Sequence, residues 1–249
     1  MEIKEIKNKL KKLGIKSGDT IMIHGDAGIA EQINTKSKKK TNILFNEIIK
    51  IIGVKGNILI PSFTYSACEK KVFNVLNTKS VLGKFSEDFR KKTKVKRTEH
   101  PIFSFLVYGK KFNYFKKSKI DTCFGKDSLF DRFKKINGKI ICMGCSFNRV
   151  TFIHHVEEFF NVNYRYKKKF DSKIKIKNKI ISRKIEYFVR KLNQRSSLNL
   201  QYFYKKLLRK KSIKETNLGR YNINVVSAKV LFNDCLEALN KKKNYLVQK

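Results

Sequence analysis

Lys139-Ile-Ile-Cys-Met-Gly144, followed by Thr151-Phe-Ile-His-His-Val-Glu-Glu158, is the stretch on which the fold turns. Its first part is a short apolar run closed by glycine, the pattern of a buried strand leaving a sheet. From Thr151 onward no Pro or Gly intervenes for many positions, and the pattern predicts a helix with Thr151 as its N-cap. A buried strand passing through glycine into a helix is the unit of an open α/β sheet, which binds ligands at the carboxyl ends of its strands. On such a helix, positions three and four apart share a face. His154 and Glu157 therefore meet, with Thr151 one turn earlier. A carboxylate beside an imidazole orients the ring and stabilises its protonated form, as a general base requires. Two other readings fit the same residues. One is a packed histidine near a solvated glutamate. The other is half of a helical metal site, since His-x-x-Glu supplies two ligands in di-iron proteins. No second His/carboxylate cluster stands elsewhere in the chain to complete such a set, so no metal is expected.

Outward from this stretch, Glu2 to Leu13 carries Ile3, Ile6, Leu10 and Leu13 at helical spacing and stops at Gly14. Thr20 to His24 reads as a buried strand. The small residues that follow, Gly25-Asp26-Ala27-Gly28, let a ligand approach the backbone, and amides entering a helix there favour phosphate or carbonyl oxygens. An ordinary strand-to-helix turn has the same composition. Thr41 to Ile52 is a second amphipathic helix, and Asn57 to Pro61 a second strand. Beyond it Phe63 and Tyr65 alternate with hydroxyls and either line a pocket or close the core. Gly83 to Arg90 reads as a short helix. Arg97-Thr-Glu-His-Pro101 is a turn, because the residue before proline disfavours helix, and Ile102 to Tyr108 is a strand. Downstream, Lys173 to Lys177 and Ile185 to Arg190 form an antiparallel pair about a turn near Asn178. A basic helix over Leu198 to Lys211, two short strands about Leu218-Gly219 and a helix capped by Ser227 complete the chain. The expected architecture is α/β, three layers of helix, sheet and helix with a mostly parallel or mixed central sheet. A single domain spans 1–249, with its core at about 1–165 and a small C-terminal α+β extension at about 166–249.

Twenty Phe and ten Tyr among 249 residues supply a large core without Trp. No apolar run approaches the about 20 residues that span a membrane, and the N-terminus lacks the apolar segment of a secretory signal. Five Cys make an odd number for a disulfide framework, so a cytoplasmic setting is expected. Cys142 and Cys145 have CxxC spacing with no second pair, and each Cys has a simple structural role, so no thiol nucleophile is expected. The net charge of +38 attracts polyanions and makes nucleic acid a rival partner. The lysines are nonetheless spread over nearly every surface-like segment, and Ile and Asn are abundant with them, as AT-rich coding sequence produces without any partner. Nucleic-acid binding is therefore not the expectation.

The order of the segments is more specific than any one of them. Ile23-His-Gly-Asp26, Ile60-Pro-Ser-Phe-Thr-Tyr-Ser66, Gly83 to Arg90, Arg97-Thr-Glu-His-Pro-Ile-Phe-Ser-Phe105, Phe124-Gly-Lys-Asp-Ser128, Gly138 to Gly144 and Thr151 to Glu157 form one collinear series. The series resembles the aminoglycoside 3-N-acetyltransferase family, over about residues 10 to 165. The family motif Arg-Ser/Thr-x-His-Pro-x-x-Ser-Phe falls on Arg97 to Phe105, and Thr-x-x-His-x-x-Glu on Thr151, His154 and Glu157. The resemblance implies acetyl transfer from acetyl-CoA to an amine on a sugar, without a metal. It makes His154 the base, supported by Glu157. It places His24, Gly25, Asp26 and Gly28, with Arg97, His100 and Ser104, on the coenzyme side. Thr151 or an amide of the Gly25–Gly28 loop is the candidate oxyanion donor.

The chain also departs from that pattern. Many drug-resistance members carry Ser-Ser where Gly25-Asp26 stands here, and place carboxylates after the antiparallel segment that follows the catalytic helix. Between Ser182 and Ser197 only Glu186 is acidic, among Arg183, Lys184, Arg190, Lys191 and Arg195. A polycationic drug meets repulsion there. The expected acceptor is an amino sugar on an anionic nucleotide or lipid carrier, in surface-glycan biosynthesis, with Phe63, Tyr65 and Glu186 on the acceptor side. The alternatives are a resistance enzyme and a basic nucleic-acid-associated protein on the same fold. Association into a homo-oligomer is left open.

Overall fold

The computed structural model describes residues 1–247. Helix α1 (Ile3–Lys12) leads to β1 (Thr20–Gly25), and then a single turn, α2 (Gly28–Glu31), and α3 (Lys40–Ile52) carry the chain to β2 (Asn57–Pro61). Next come β3 (Phe73–Asn74), α4 (Lys84–Arg90), β4 (Val95–Arg97) and β5 (Phe105–Tyr108). Helices α5 (Phe112–Lys116) and α6 (Leu129–Lys135) precede β6 (Lys139–Met143) and α7 (Ile153–Phe160). A long hairpin, β7 (Arg165–Ile176) and β8 (Lys179–Arg190), follows. The chain closes with α8 (Gln201–Arg209), β9 (Lys214–Leu218), β10 (Tyr221–Ser227) and α9 (Ala228–Lys241).

Seven strands make the central sheet in the order β4-β5-β2-β1-β6-β10-β9. The middle strands β2, β1 and β6 are parallel, and the outer pairings are antiparallel, so the sheet is mixed. Alternation along each strand sends neighbouring side chains to opposite faces. Ile21, Ile23, Ile58, Ile60, Ile141 and Met143 enter one apolar layer with α1, α3 and α4. Met22, Leu59, Ile140 and Cys142 enter the other with α6, α7, α8 and α9. This is the expected three-layer arrangement. The β7–β8 hairpin stands apart, paired with β3 in a second sheet of three strands.

Two expectations need correction. The C-terminal segment is not an appendage. β10 inserts beside β6, from Ile223 against Met143 to Ser227 against Lys139, and β9 follows it at the sheet edge. Without β10, the apolar strand β6 would be an open edge. Ser227 does cap α9, accepting from the Val230 amide at 3.3 Å. Thr151, by contrast, is not an N-cap. The chain begins to coil at residues 147–149, where Ser146 accepts from the Asn148 amide at 3.2 Å. Thr151 and Phe152 continue those turns, so α7 starts at Ile153 with no side-chain cap.

Candidate active site

β1, β2 and β6 run parallel, and their carboxyl ends open together on one edge of the sheet. From β6 the chain passes through Gly144, whose φ of +73° suits glycine, and coils into α7. Helical spacing then sets His154 Nδ1 2.6 Å from Glu157 Oε2. The His154 side chain is 19% exposed and that of Glu157 is fully buried. A buried carboxylate needs balancing charge, and Arg165 provides it with Nε 2.7 Å from the same oxygen. Arg165 is the first residue of β7, reached through a tight turn in which Asn161 is left-handed (φ +58°). With Nδ1–H donated to Glu157, Nε2 of His154 keeps its lone pair. Burial and the Arg165 charge push the His154 pKa down, against the opposing pull of Glu157, so the imidazole is neutral at pH 7. The Phe124 ring, 5.3 Å from the imidazole, packs beside it.

Two openings adjoin beside this pair. A cleft of about 730 Å³ lies over the strand ends and is lined by His24, Gly25, Asp26, Phe63 and Thr151 among others. A trough of about 1050 Å³ runs along the β7–β8 hairpin and is lined by His154, Arg165, Lys168, Tyr187, Arg190 and Lys191 among others. Tyr65 and Asn148 line both. Tyr65 holds φ +52°, an unusual conformation for a non-glycine residue, at the junction. Thr151 faces the cleft one turn before His154, and its hydroxyl makes only a long bond of 3.4 Å to the Arg149 carbonyl.

The structure thus brings His154, Glu157, Thr151, His24, Gly25, Asp26, Phe63 and Tyr65 into one region. Gly25 has to be glycine, since a Cβ there would lie 2.5 Å from the Phe85 ring. Gly28 is elsewhere. Its amide is taken by Asp26 Oδ1 at 2.7 Å and its Cα faces the Tyr221 hydroxyl. The helix after it is one turn long, so no array of free amides awaits an anion.

Arg97, His100 and Ser104 are also not where expected, because they brace the cleft from behind. Buried Arg97 donates to the Ser62 carbonyl at 2.6 Å and to Ser104 Oγ at 3.0 Å, and Ser104 in turn donates to the Ser62 carbonyl. His100 Nδ1 accepts from the amides of Ile102 and Phe103, at 3.2 and 3.0 Å. These bonds hold the end of β2, from which Phe63 and Tyr65 project into the site. Glu186 is a further correction. Side chains alternate along β8, so Tyr187 faces the trough while Glu186 faces away and pairs with Lys167 at 2.7 Å.

Arg165 and Lys168 escaped the sequence reading because no local pattern marks them, whereas Lys191 was counted among the basic residues around Glu186. Among the described residues no group of three or more His, Cys, Asp or Glu side chains is placed to hold a metal ion. No helix there is long and apolar enough to cross a membrane.

His24, His100 and His155 are all buried, and burial pushes each from 6.5 to about 4. An unfolded histidine takes its proton near 6.5, whereas these folded ones resist until about 4. The unfolded chain therefore binds more protons within that window. Stability should be full above pH 6.5 and fall as the pH drops toward 4. The expected result is a urea midpoint clearly lower at pH 5 than at pH 7.5. Equal midpoints would contradict the burial of these rings.

Comparison with known proteins places this geometry. The aminoglycoside 3-N-acetyltransferase profile matches residues 23–239. The SPbeta prophage-derived aminoglycoside N(3')-acetyltransferase-like protein YokD of Bacillus subtilis (strain 168) is 22% identical over 175 residues. That match takes in 61% of this chain and 63% of YokD, under two thirds of the curated relative's length. Among solved structures, aminoglycoside acetyltransferase AAC(3)-Xa superposes with a TM-score of 0.82 at 14% identity, covering 100% of this chain and 95% of that one. AAC-IIIb in its binary complex with CoASH gives 0.82 at 18% identity, with 97% of each chain covered. The YokD crystal structure gives 0.75 at 18%, covering 94% of this chain and 97% of YokD. The structural likenesses carry the fold. With the profile spanning most of the sequence, the chain belongs to the aminoglycoside 3-N-acetyltransferase family.

Proposed function

We propose that the protein is an acetyl-CoA-dependent N-acetyltransferase that acts on the amine of an amino sugar in surface-glycan biosynthesis. The observation that carries this reading is the charge-balanced His154–Glu157 pair, with His154 on the trough and Thr151, one turn before it, on the adjoining cleft. The cleft at the strand ends suits the coenzyme, since Gly25 leaves the backbone bare and the buried His24 Nε2 has no partner. The coenzyme supplies the acetyl thioester. An amine in the trough must lose a proton as its nitrogen bonds to the acetyl carbon and the carbon–sulfur bond breaks. Nε2 of His154 takes that proton, while Glu157 and Arg165 hold the ring and its tautomer. The Thr151 hydroxyl, nearly free on the cleft side, is the donor for the oxygen that develops negative charge.

A base that starts neutral has to stay unprotonated. Because the His154 pKa is lowered, the acid limb of the kcat/KM profile should fall below the ordinary histidine value of 6.5. A limb above it would contradict the assignment.

The acceptor follows from charge. Among the described residues no Asp or Glu lines the trough, while Lys168, Arg190 and Lys191 do. A drug carrying several ammonium groups would be desolvated there without partners. The test is coenzyme release over a panel of free, phosphorylated and nucleotide-linked amino sugars, with kanamycin and gentamicin as controls. Turnover with an anionic amino sugar and none with the drugs is expected. Robust aminoglycoside resistance in a sensitive bacterium expressing the protein would favour the drug-modifying alternative.

A further inference from the structure

We infer that Lys168, Arg190 and Lys191 form a subsite for a phosphoryl or diphosphoryl group borne by the acceptor. This rests on the trough being the acceptor site, and it assigns the trough's anion-binding function to one wall. The β7–β8 register sets Arg165 directly opposite Arg190. Like charges facing each other across a ladder are destabilising unless something neutralises them. Glu157 neutralises Arg165 at 2.7 Å. Among the described residues Arg190 has no carboxylate partner, and its guanidinium donates only to the Ser197 hydroxyl at 2.5 Å. Among the described residues, Lys168 and Lys191 also form no ion pair. Outside the trough the same hairpin differs, since Lys167 there is bound to Glu186 at 2.7 Å.

Residues 165–190 hold eleven Lys and Arg against two acids, so about a tenth of the chain carries about a quarter of its +38 charge. That local excess is more than uniform compositional bias would place there. Arg190 offers planar paired donors and the two lysines offer point charges, the usual combination for phosphate oxygens. The hydroxyls of Ser196 and Ser197 lie on the same wall, and Ser196 donates to the Lys191 carbonyl, which ties down the loop. The trough, at about 1050 Å³, is also larger than one sugar requires. Its remaining wall is apolar, with Tyr166, Leu192 and Leu198, and suits either a nucleobase or a prenyl chain. The shared chemistry is the phosphoryl group.

The test uses the full-length protein saturated with CoA, so that the cleft cannot answer for the trough. Inorganic pyrophosphate, UDP and farnesyl diphosphate are titrated by calorimetry into wild type, K168Q, R190Q, K191Q and the triple variant. Pyrophosphate should bind wild type with strong salt dependence. Its dissociation constant should rise at least about tenfold in the triple variant, with Arg190→Gln the largest single change. CoA affinity should be unchanged throughout, which shows that the variants are folded. Lys169→Gln with Lys184→Gln removes two charges from hairpin positions outside the trough and should leave pyrophosphate binding intact. UDP binding tighter than pyrophosphate would point to a nucleotide carrier, and tighter farnesyl diphosphate to a lipid one. The subsite is overturned if CoA-loaded wild type binds none of the probes. It is equally overturned if the variants bind like wild type, or if the Lys169/Lys184 double variant weakens binding as much. Acetyl transfer to no amine at all, with pyrophosphate binding lost in the triple variant, would sink the catalytic proposal and leave the subsite standing.

Discussion

Alanine in place of His154 should lower acetyl transfer by roughly 10²–10⁴-fold, the usual worth of a positioned general base, and leave acetyl-CoA affinity near that of wild type. The ring reaches the trough on one side and Glu157 on the other, and it does not line the cleft over the strand ends that is proposed for the coenzyme. Its loss should therefore appear in kcat rather than in coenzyme binding. His154→Gln keeps the volume but has no lone pair of suitable basicity, so it should be nearly as inactive. His155 is the internal control. Its Nδ1 lies 2.6 Å from the Phe124 carbonyl and its ring is buried against Phe152 and Phe232. His155→Ala should lower stability by cavity formation while the rate per folded molecule changes little. Near-normal turnover in His154→Ala would remove the base assignment.

Arg165→Met should be the most destabilising single change in the site, at about 3–5 kcal/mol, the cost of leaving one member of a buried ion pair alone. The carboxylate of Glu157 is fully buried, and the Arg165 side chain is 5% exposed. Without the guanidinium, the charge of Glu157 meets only the imidazole of His154 and the buried Tyr164 hydroxyl, whose pKa burial and that same charge already push up. Denaturant unfolding of wild type, Arg165→Met, Glu157→Gln and the double variant forms a cycle. The double variant should recover part of the loss, because neutral glutamine no longer needs a cation. A loss under about 1 kcal/mol in Arg165→Met would mean that the pair behaves as a solvated one.

The separation between these two residues is instructive. His154 and Glu157 lie three apart on one helix, so their contact follows from helical geometry and was legible beforehand. Arg165 lies beyond the helix end, past the left-handed Asn161, and its contact depends on how the hairpin packs back. Likewise, the apolar runs at Thr20–His24, Asn57–Pro61 and Lys139–Met143 announced buried strands, but not that β10 would pair with β6 across about eighty residues of chain. Arg97, His100 and Ser104 were legible as a motif, yet only their bonds to Ser62 and to the Ile102 and Phe103 amides show that they brace rather than line. Glu186 was the sole acid of its segment, and strand register turned it away from the trough.

By itself the sequence determined what depends on short-range periodicity: the strands and helices, the α/β class, the His154–Glu157 pair on α7 and the family resemblance in its collinear motifs. Only the tertiary structure decided what depends on pairing between distant segments. That includes the C-terminal strands inside the main sheet, the partner of the buried Glu157, the face of the hairpin that lines the trough, and hence its charge. The physical reason is that backbone sterics and side-chain period act over one or two turns, whereas burial and register are settled where segments far apart in the chain come into contact.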